Sequence, residues 1–100
     1  MPKVILQISY EIKPEQREAY LALATELKRH FAGEQKKSYT IFEQKGKKNF
    51  FIEEFVCSSV EEYEALEDGM TESGEELVNR LETYLKDGKA RYATLVEVVS

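Results

Sequence analysis

The sequence predicts an α+β fold in which one antiparallel sheet carries its helices on a single face. Two hydrophobic rhythms and the order in which they alternate predict it. Apolar residues at every second position mark strands, and apolar residues spaced three and four apart mark helices. Along the 100 residues these follow one another as strand, helix, strand, strand, helix, strand. That order is the split β-α-β-β-α-β pattern of a ferredoxin-like sheet.

Val4, Leu6, Ile8, Tyr10 and Ile12 alternate as a strand with one buried face. From Pro14 to Phe31 the period becomes helical, with Tyr20, Leu23, Ala24, Leu27 and Phe31 in one stripe. Pro14 suits the first turn of that helix and Gly33 its C-terminal cap. Ser38–Gln44 and Phe50–Cys57 read as a hairpin joined by Lys45-Gly46-Lys47-Lys48-Asn49. Ser59-Val60-Glu61-Glu62 has capping-box spacing and opens a second helical region. A break is expected near Asp68-Gly69, because Ser73-Gly74-Glu75-Glu76 repeats the box before the stripe Leu77, Val78, Leu81, Tyr84, Leu85, which ends at Gly88. The last strand is expected over Ala90–Val99.

With no Pro-, Gly- or Ser-rich interruption, residues 1–100 are read as a single domain. A lone Cys57 excludes an intrachain disulfide framework, and Met1–Ser9 lacks the pattern of a signal peptide, so a cytoplasmic location is expected. No apolar run approaches the roughly 20 residues a membrane-spanning helix needs. Net charge is −5 and segregated: lysines gather at 36, 37, 45, 47 and 48, while Asn49 to Asn79 holds ten carboxylates and no Lys or Arg. Taken alone, the acidic run reads as a solvated helix face.

Helices on one side leave the other side of the sheet bare. In the third strand the two faces are Phe50, Ile52, Glu54, Val56 and Phe51, Glu53, Phe55, Cys57, so either choice leaves an apolar patch uncovered. A twofold pair of sheets would cover both patches, and a homodimer is expected.

The segments Ser38-Tyr39, Phe50-Phe51-Ile52-Glu53-Glu54-Phe55-Val56 and Ser59-Val60-Glu61-Glu62-Tyr63-Glu64-Ala65-Leu66, together with a Lys13-Pro14 turn, resemble the antibiotic biosynthesis monooxygenase family over nearly the whole chain. The resemblance implies a dimeric α+β barrel, a small pocket between sheet and helices, and oxygenation of quinol-like or polyketide substrates without a cofactor. It places Glu54 at the family's glutamate and hence as the catalytic residue. Phe55-Val56 stands where the family has Arg-Trp, and Leu66 stands near its helical histidine. No Trp is present, and Gln7 or Ser9 occupies the place of the asparagine used by haem-degrading relatives, so no haem is expected.

Glu53 and Glu54 are adjacent on a strand and point to opposite faces. A desolvated carboxylate there serves either as a general base toward a phenolic substrate or as a structural group paired across strands or subunits with Arg91 or a lysine. Tyr39, Phe51, Phe55 and Tyr92, with Gln7 and Ser9 as polar contacts, are the candidate ligand-binding residues for a flat aromatic molecule. The same side chains would also serve as core. His30 lies one turn after Glu26, a pairing read as structural at the helix C-terminus. One His and one Cys fall short of a zinc centre, and no metal is expected. Cys57 reads as a small buried hydrophobe.

Two other classes share this element order. One is a catalytically silent dimeric module that binds a ligand or assembles. The other is an RNA-recognition domain, faintly echoed in Lys48-Asn49-Phe50-Phe51-Ile52-Glu53-Glu54-Phe55. The acidic balance and the absence of that motif's glycines argue against nucleic acid.

Overall fold

The computed structural model describes residues 2–99, without the side chains of residues 67 and 68. Four strands, β1 (Val4–Ile12), β2 (Ser38–Glu43), β3 (Phe50–Cys57) and β4 (Leu85–Val96), form one antiparallel sheet in the order β2-β3-β1-β4. This is the ferredoxin-like order. Helix α1 (Arg17–Lys28) follows β1, and the second helical region is two helices, α2 (Val60–Asp68) and α3 (Glu72–Glu82).

Pairing register settles which face each strand residue takes. Leu6 lies opposite Phe55, Ile8 opposite Glu53 and Tyr10 opposite Phe51, while Tyr39 lies opposite Phe55. These residues face the helices and are packed with Tyr20, Leu23, Leu27 and Phe31 into the core. Ile5, Gln7 and Ser9 of β1 lie opposite Val56, Glu54 and Ile52 on the outer face. Phe42 and Leu95 join them there and are 49% and 44% exposed, which leaves an apolar patch on that face uncovered.

The first helix is composite. Pro14–Gln16 is a 3-10 turn, and after Lys28 the chain widens into a π-helical turn, Arg29–Glu34, that buries both His30 and Phe31. Gly33 therefore lies inside this turn and is not the cap expected of it. The left-handed residue that ends the segment is Lys36, at φ 53°.

Around Asn49 the hairpin, β1 and α1 are tied together. Its amide donates to Glu43 Oε2 (2.8 Å), its carbonyl accepts from Ile12 N–H (2.8 Å), and its side-chain oxygen accepts from Arg17 (2.9 Å). Arg17 also clasps both oxygens of Glu43, at 2.7 and 2.9 Å. The Arg17 hydrogen bonds, with the Asn49 amide, pull the Glu43 pKa down to about 2. A carboxylate whose folded pKa is depressed stabilises the fold above its ordinary pKa, 4.5, and loses that contribution as pH falls toward about 2. Arg17→Met is therefore expected to unfold at a higher pH than the parent in an acid titration followed by circular dichroism. Coincident acid limbs would show that the clasp does not hold the hairpin.

The helix starts are partly as the sequence reads them. Ser59 Oγ accepts from Glu62 N–H (3.1 Å), but the Glu62 carboxylate reaches back to the amide of Ser58, one residue beyond the cap itself. At α3 the cap is Thr71, whose hydroxyl accepts from Gly74 N–H (3.1 Å), and not Ser73. Close packing explains the shift: a Cβ on Gly74 would stand 2.9 Å from Met70 Sδ and 3.1 Å from His30 Nε2. Starting the helix at Glu72 puts the residue without a side chain against both.

The last strand begins at Leu85, five residues before the expected start. Leu81 and Leu85 share helical spacing, but Tyr84 N–H bonds to Leu81 O (2.9 Å), the chain turns, and Leu85 pairs with Ile12. Asp87 and Gly88, both at positive φ, absorb the extra residues before Ala90 pairs with Tyr10. Regular pairing ends at Val96, short of the expected Val99.

Candidate functional site

Between the sheet and the helices lies a cavity of about 840 Å³. Leu6 and Ile8 of β1, Phe55 of β3 and Ala90 of β4 form its floor, while Phe31, Leu66, Val78 and Leu81 close it from the helix side. Tyr63 of α2 donates to or accepts from Thr94 of β4 (2.8 Å), a strap across one side of the opening. The wall is mostly apolar, as suits an organic ligand.

One carboxylate borders this cavity from deep in the core. Glu53 is 4% exposed, and its oxygens accept from Tyr10 Oη (2.6 Å) and Tyr39 Oη (2.5 Å). Because Tyr10 spends its proton on Glu53, the 2.8 Å contact between the Tyr10 and Tyr20 hydroxyls runs from Tyr20 to Tyr10. The chain Tyr20→Tyr10→Glu53←Tyr39 thus points two donors at the carboxylate, an arrangement that suits its charged form. Burial pushes the Glu53 pKa up, and the two phenols pull it only part of the way back. Burial, with the charge of Glu53, drives the Tyr10 and Tyr39 phenols far above their ordinary value. Among the described residues no Lys, Arg or His lies within ion-pair reach of Glu53. A raised carboxylate without a cation, beside an apolar hollow, can take a proton from an acidic O–H or C–H group.

The structure divides the residues singled out from sequence. Phe55 and Tyr92 line the cavity. Tyr39 reaches it through Glu53, and Phe51 packs on Tyr20 with ring centroids 4.3 Å apart, in the core toward α1. Glu54, Gln7 and Ser9 lie on the outer face, where Gln7 Nε2 donates to Glu54 Oε2 (2.8 Å). They are not brought together with the cavity; of the adjacent pair Glu53 and Glu54, Glu53 is the one that borders it. Neither glutamate pairs with Arg91.

Tyr10 and Tyr20 are the members that sequence reasoning left as core positions of the first strand and the first helix. Their signal was present: two tyrosines at core positions of a strand and a helix require a buried polar partner. His30 pairs with Glu34 (3.3 Å) and not with Glu26, which is held by Arg80 (2.9 Å). Cys57 is buried, which raises its thiol pKa. Phe51 and Phe55, which an RNA-binding platform would need on the open face, lie under the helices. No group of three or more potential metal ligands occurs among the described residues, and no helix there is long and apolar enough to cross a membrane.

No protein-family model and no curated protein matches the chain. Solved structures do. One is an antibiotic biosynthesis monooxygenase, 21% identical, with a TM-score of 0.70 over 100% of this chain and 99% of that one. A second is SnoaB of Streptomyces nogalater, a cofactor-independent oxygenase, 10% identical, with a TM-score of 0.71 over 93% and 90% of the two chains. A conserved protein from Methanosarcina mazei is 12% identical, with a TM-score of 0.79 over 95% and 92%. At these identities the likeness is one of fold.

Proposed function

We propose, from a fold shared with antibiotic biosynthesis monooxygenases, that this protein binds a small aromatic or quinol-type molecule in the cavity and oxygenates it without a cofactor. The observation that carries the reading is Glu53, a buried carboxylate held by two phenols on the wall of an apolar hollow of about 840 Å³. Glu53, in place of Glu54, is the general base. It removes a proton from an activated methylene or phenol, and the electron-rich carbanion so formed reacts with dioxygen. For a methylene the balance is one dioxygen consumed, one oxygen atom retained as a carbonyl, and the other released as water with both methylene hydrogens. The apolar wall excludes bulk water, and the Tyr10 and Tyr39 hydroxyls keep the carboxylate oriented.

The functional unit in this reading is a homodimer whose outer sheet faces pack together, covering Ile5, Ile52, Phe42 and Leu95. An anthrone, which has an acidic methylene between two rings, is the probe. With metal chelator present, dioxygen uptake in a one-to-one ratio with anthraquinone formation, above the spontaneous rate, is the expected result. Binding without uptake would assign the chain to the silent ligand-binding alternative. Absence of binding would remove the cavity as the site.

A further inference from the structure

We propose that the cavity discriminates by charge, taking aromatic ligands that carry a protonated amine at the mouth and rejecting those that carry a carboxylate there. The inference rests on the cavity being the ligand site. Its charged wall residues are Glu53, Glu64, Glu82 and Lys37. Glu53 is deep and already holds two phenols, whereas Glu64 of α2 and Glu82 of α3 are exposed and stand at the rim.

Lys37 does not restore the balance. Its Nζ lies 3.8 Å from where Gly69 would carry a Cβ, a position that is itself close to the carbonyls of Ala65 and Leu66. That is the C-terminal end of α2, where a cation is held by the helix dipole. None of the basic residues of β4, Lys86, Lys89 and Arg91, lines the cavity; Arg91 pairs with Ser9 and so lies on the outer face, and Lys86 reaches Glu11 at 3.4 Å. The rim also carries Tyr63 and Tyr92, whose rings attract a cation. At the rim the two carboxylates of Glu64 and Glu82 outnumber the one ammonium of Lys37. A rim with an excess of one sign concentrates the opposite charge.

Three hydroxynaphthalenes that differ only in a far-ring substituent test this: aminomethyl, hydroxymethyl or carboxylate. Calorimetric titration is expected to rank them in that order, with about a tenfold spread between the first and last at low salt that narrows as salt is added. The double variant Glu64→Lys, Glu82→Lys is expected to invert the order, which loss of packing alone would not do. Equal affinities for all three would overturn the proposal and leave the cavity a ligand site. Tightest binding of the carboxylate would overturn it in favour of Lys37 as an anion anchor. If none of the three binds, and the anthrone does not either, the ligand site falls and this inference falls with it.

Discussion

Glu53→Gln is expected to abolish most of the proposed oxygenation while leaving the chain folded. The amide keeps the shape of the carboxylate and can still meet the Tyr10 and Tyr39 hydroxyls, one as acceptor and one as donor. It cannot take a proton, and loss of a positioned base costs on the order of 10²–10⁴ in rate. Stability supplies a second readout. Burial raises the folded pKa of Glu53 above its ordinary value, 4.5, so between those two values the native state holds more proton than the unfolded chain. Wild-type stability therefore falls as pH rises through that window, and the glutamine variant lacks this slope. Denaturant midpoints measured at a series of pH values should converge at the alkaline end or cross in the variant's favour. Parallel profiles would show that Glu53 is not the buried titrating group, and retained turnover would show that it is not the base.

Two neighbouring substitutions on β3 should have opposite consequences. Phe51 is 3% exposed and lies against Tyr20, opposite Glu43 and two residues from Glu53 on the same face. Phe51→Glu removes a ring worth roughly 3–5 kcal/mol in such sites and sets a carboxylate among two others. Domains of this kind have in total about 5–15 kcal/mol of stability. The variant is expected to lose its far-ultraviolet dichroism and cooperative melting. Ile52, one residue on, lies on the outer face between Ser9 and Phe42. Ile52→Glu is expected to keep the fold and to halve the particle mass seen by light scattering. A wild-type monomer, or a dimer indifferent to Ile52→Glu, would remove the outer face as the subunit interface.

That contrast also shows where sequence reasoning stopped. Strand β1, the hairpin and the break between α2 and α3 were legible because period, turn chemistry and capping agreed. The two faces of β3 were not, since Phe50-Ile52-Val56 and Phe51-Phe55-Cys57 are equally apolar and a one-residue slip exchanges them. The resemblance singled out Glu54; pairing register puts Glu54 on the outer face and Glu53, with hydroxyls arriving from Tyr10 and Tyr39, on the core face beside the cavity. At Leu85 the stripe misled because i, i+4 spacing continues through a turn into a strand. At α3 the capping spacing pointed to Ser73, whereas the cap is Thr71, which sets Gly74 against Met70 and His30. The cavity was least legible, because it is bounded by three strands and by helices remote from one another in sequence.

The central place of β1 has a kinetic corollary. Hairpin β2–β3 closes locally, but β1 must find β3 across α1, and β4 across almost the whole chain, with Val4 meeting Val96. Loop-closure entropy is lost before such distant pairings return any energy, which slows folding relative to helical proteins of equal size. Until β4 docks, the floor supplied by Ala90 and the strap supplied by Thr94 do not exist. A chain collapsed around its hairpin thus gathers hydrophobic residues before the cavity is closed, so a ligand of the proposed site would favour only the last step of assembly.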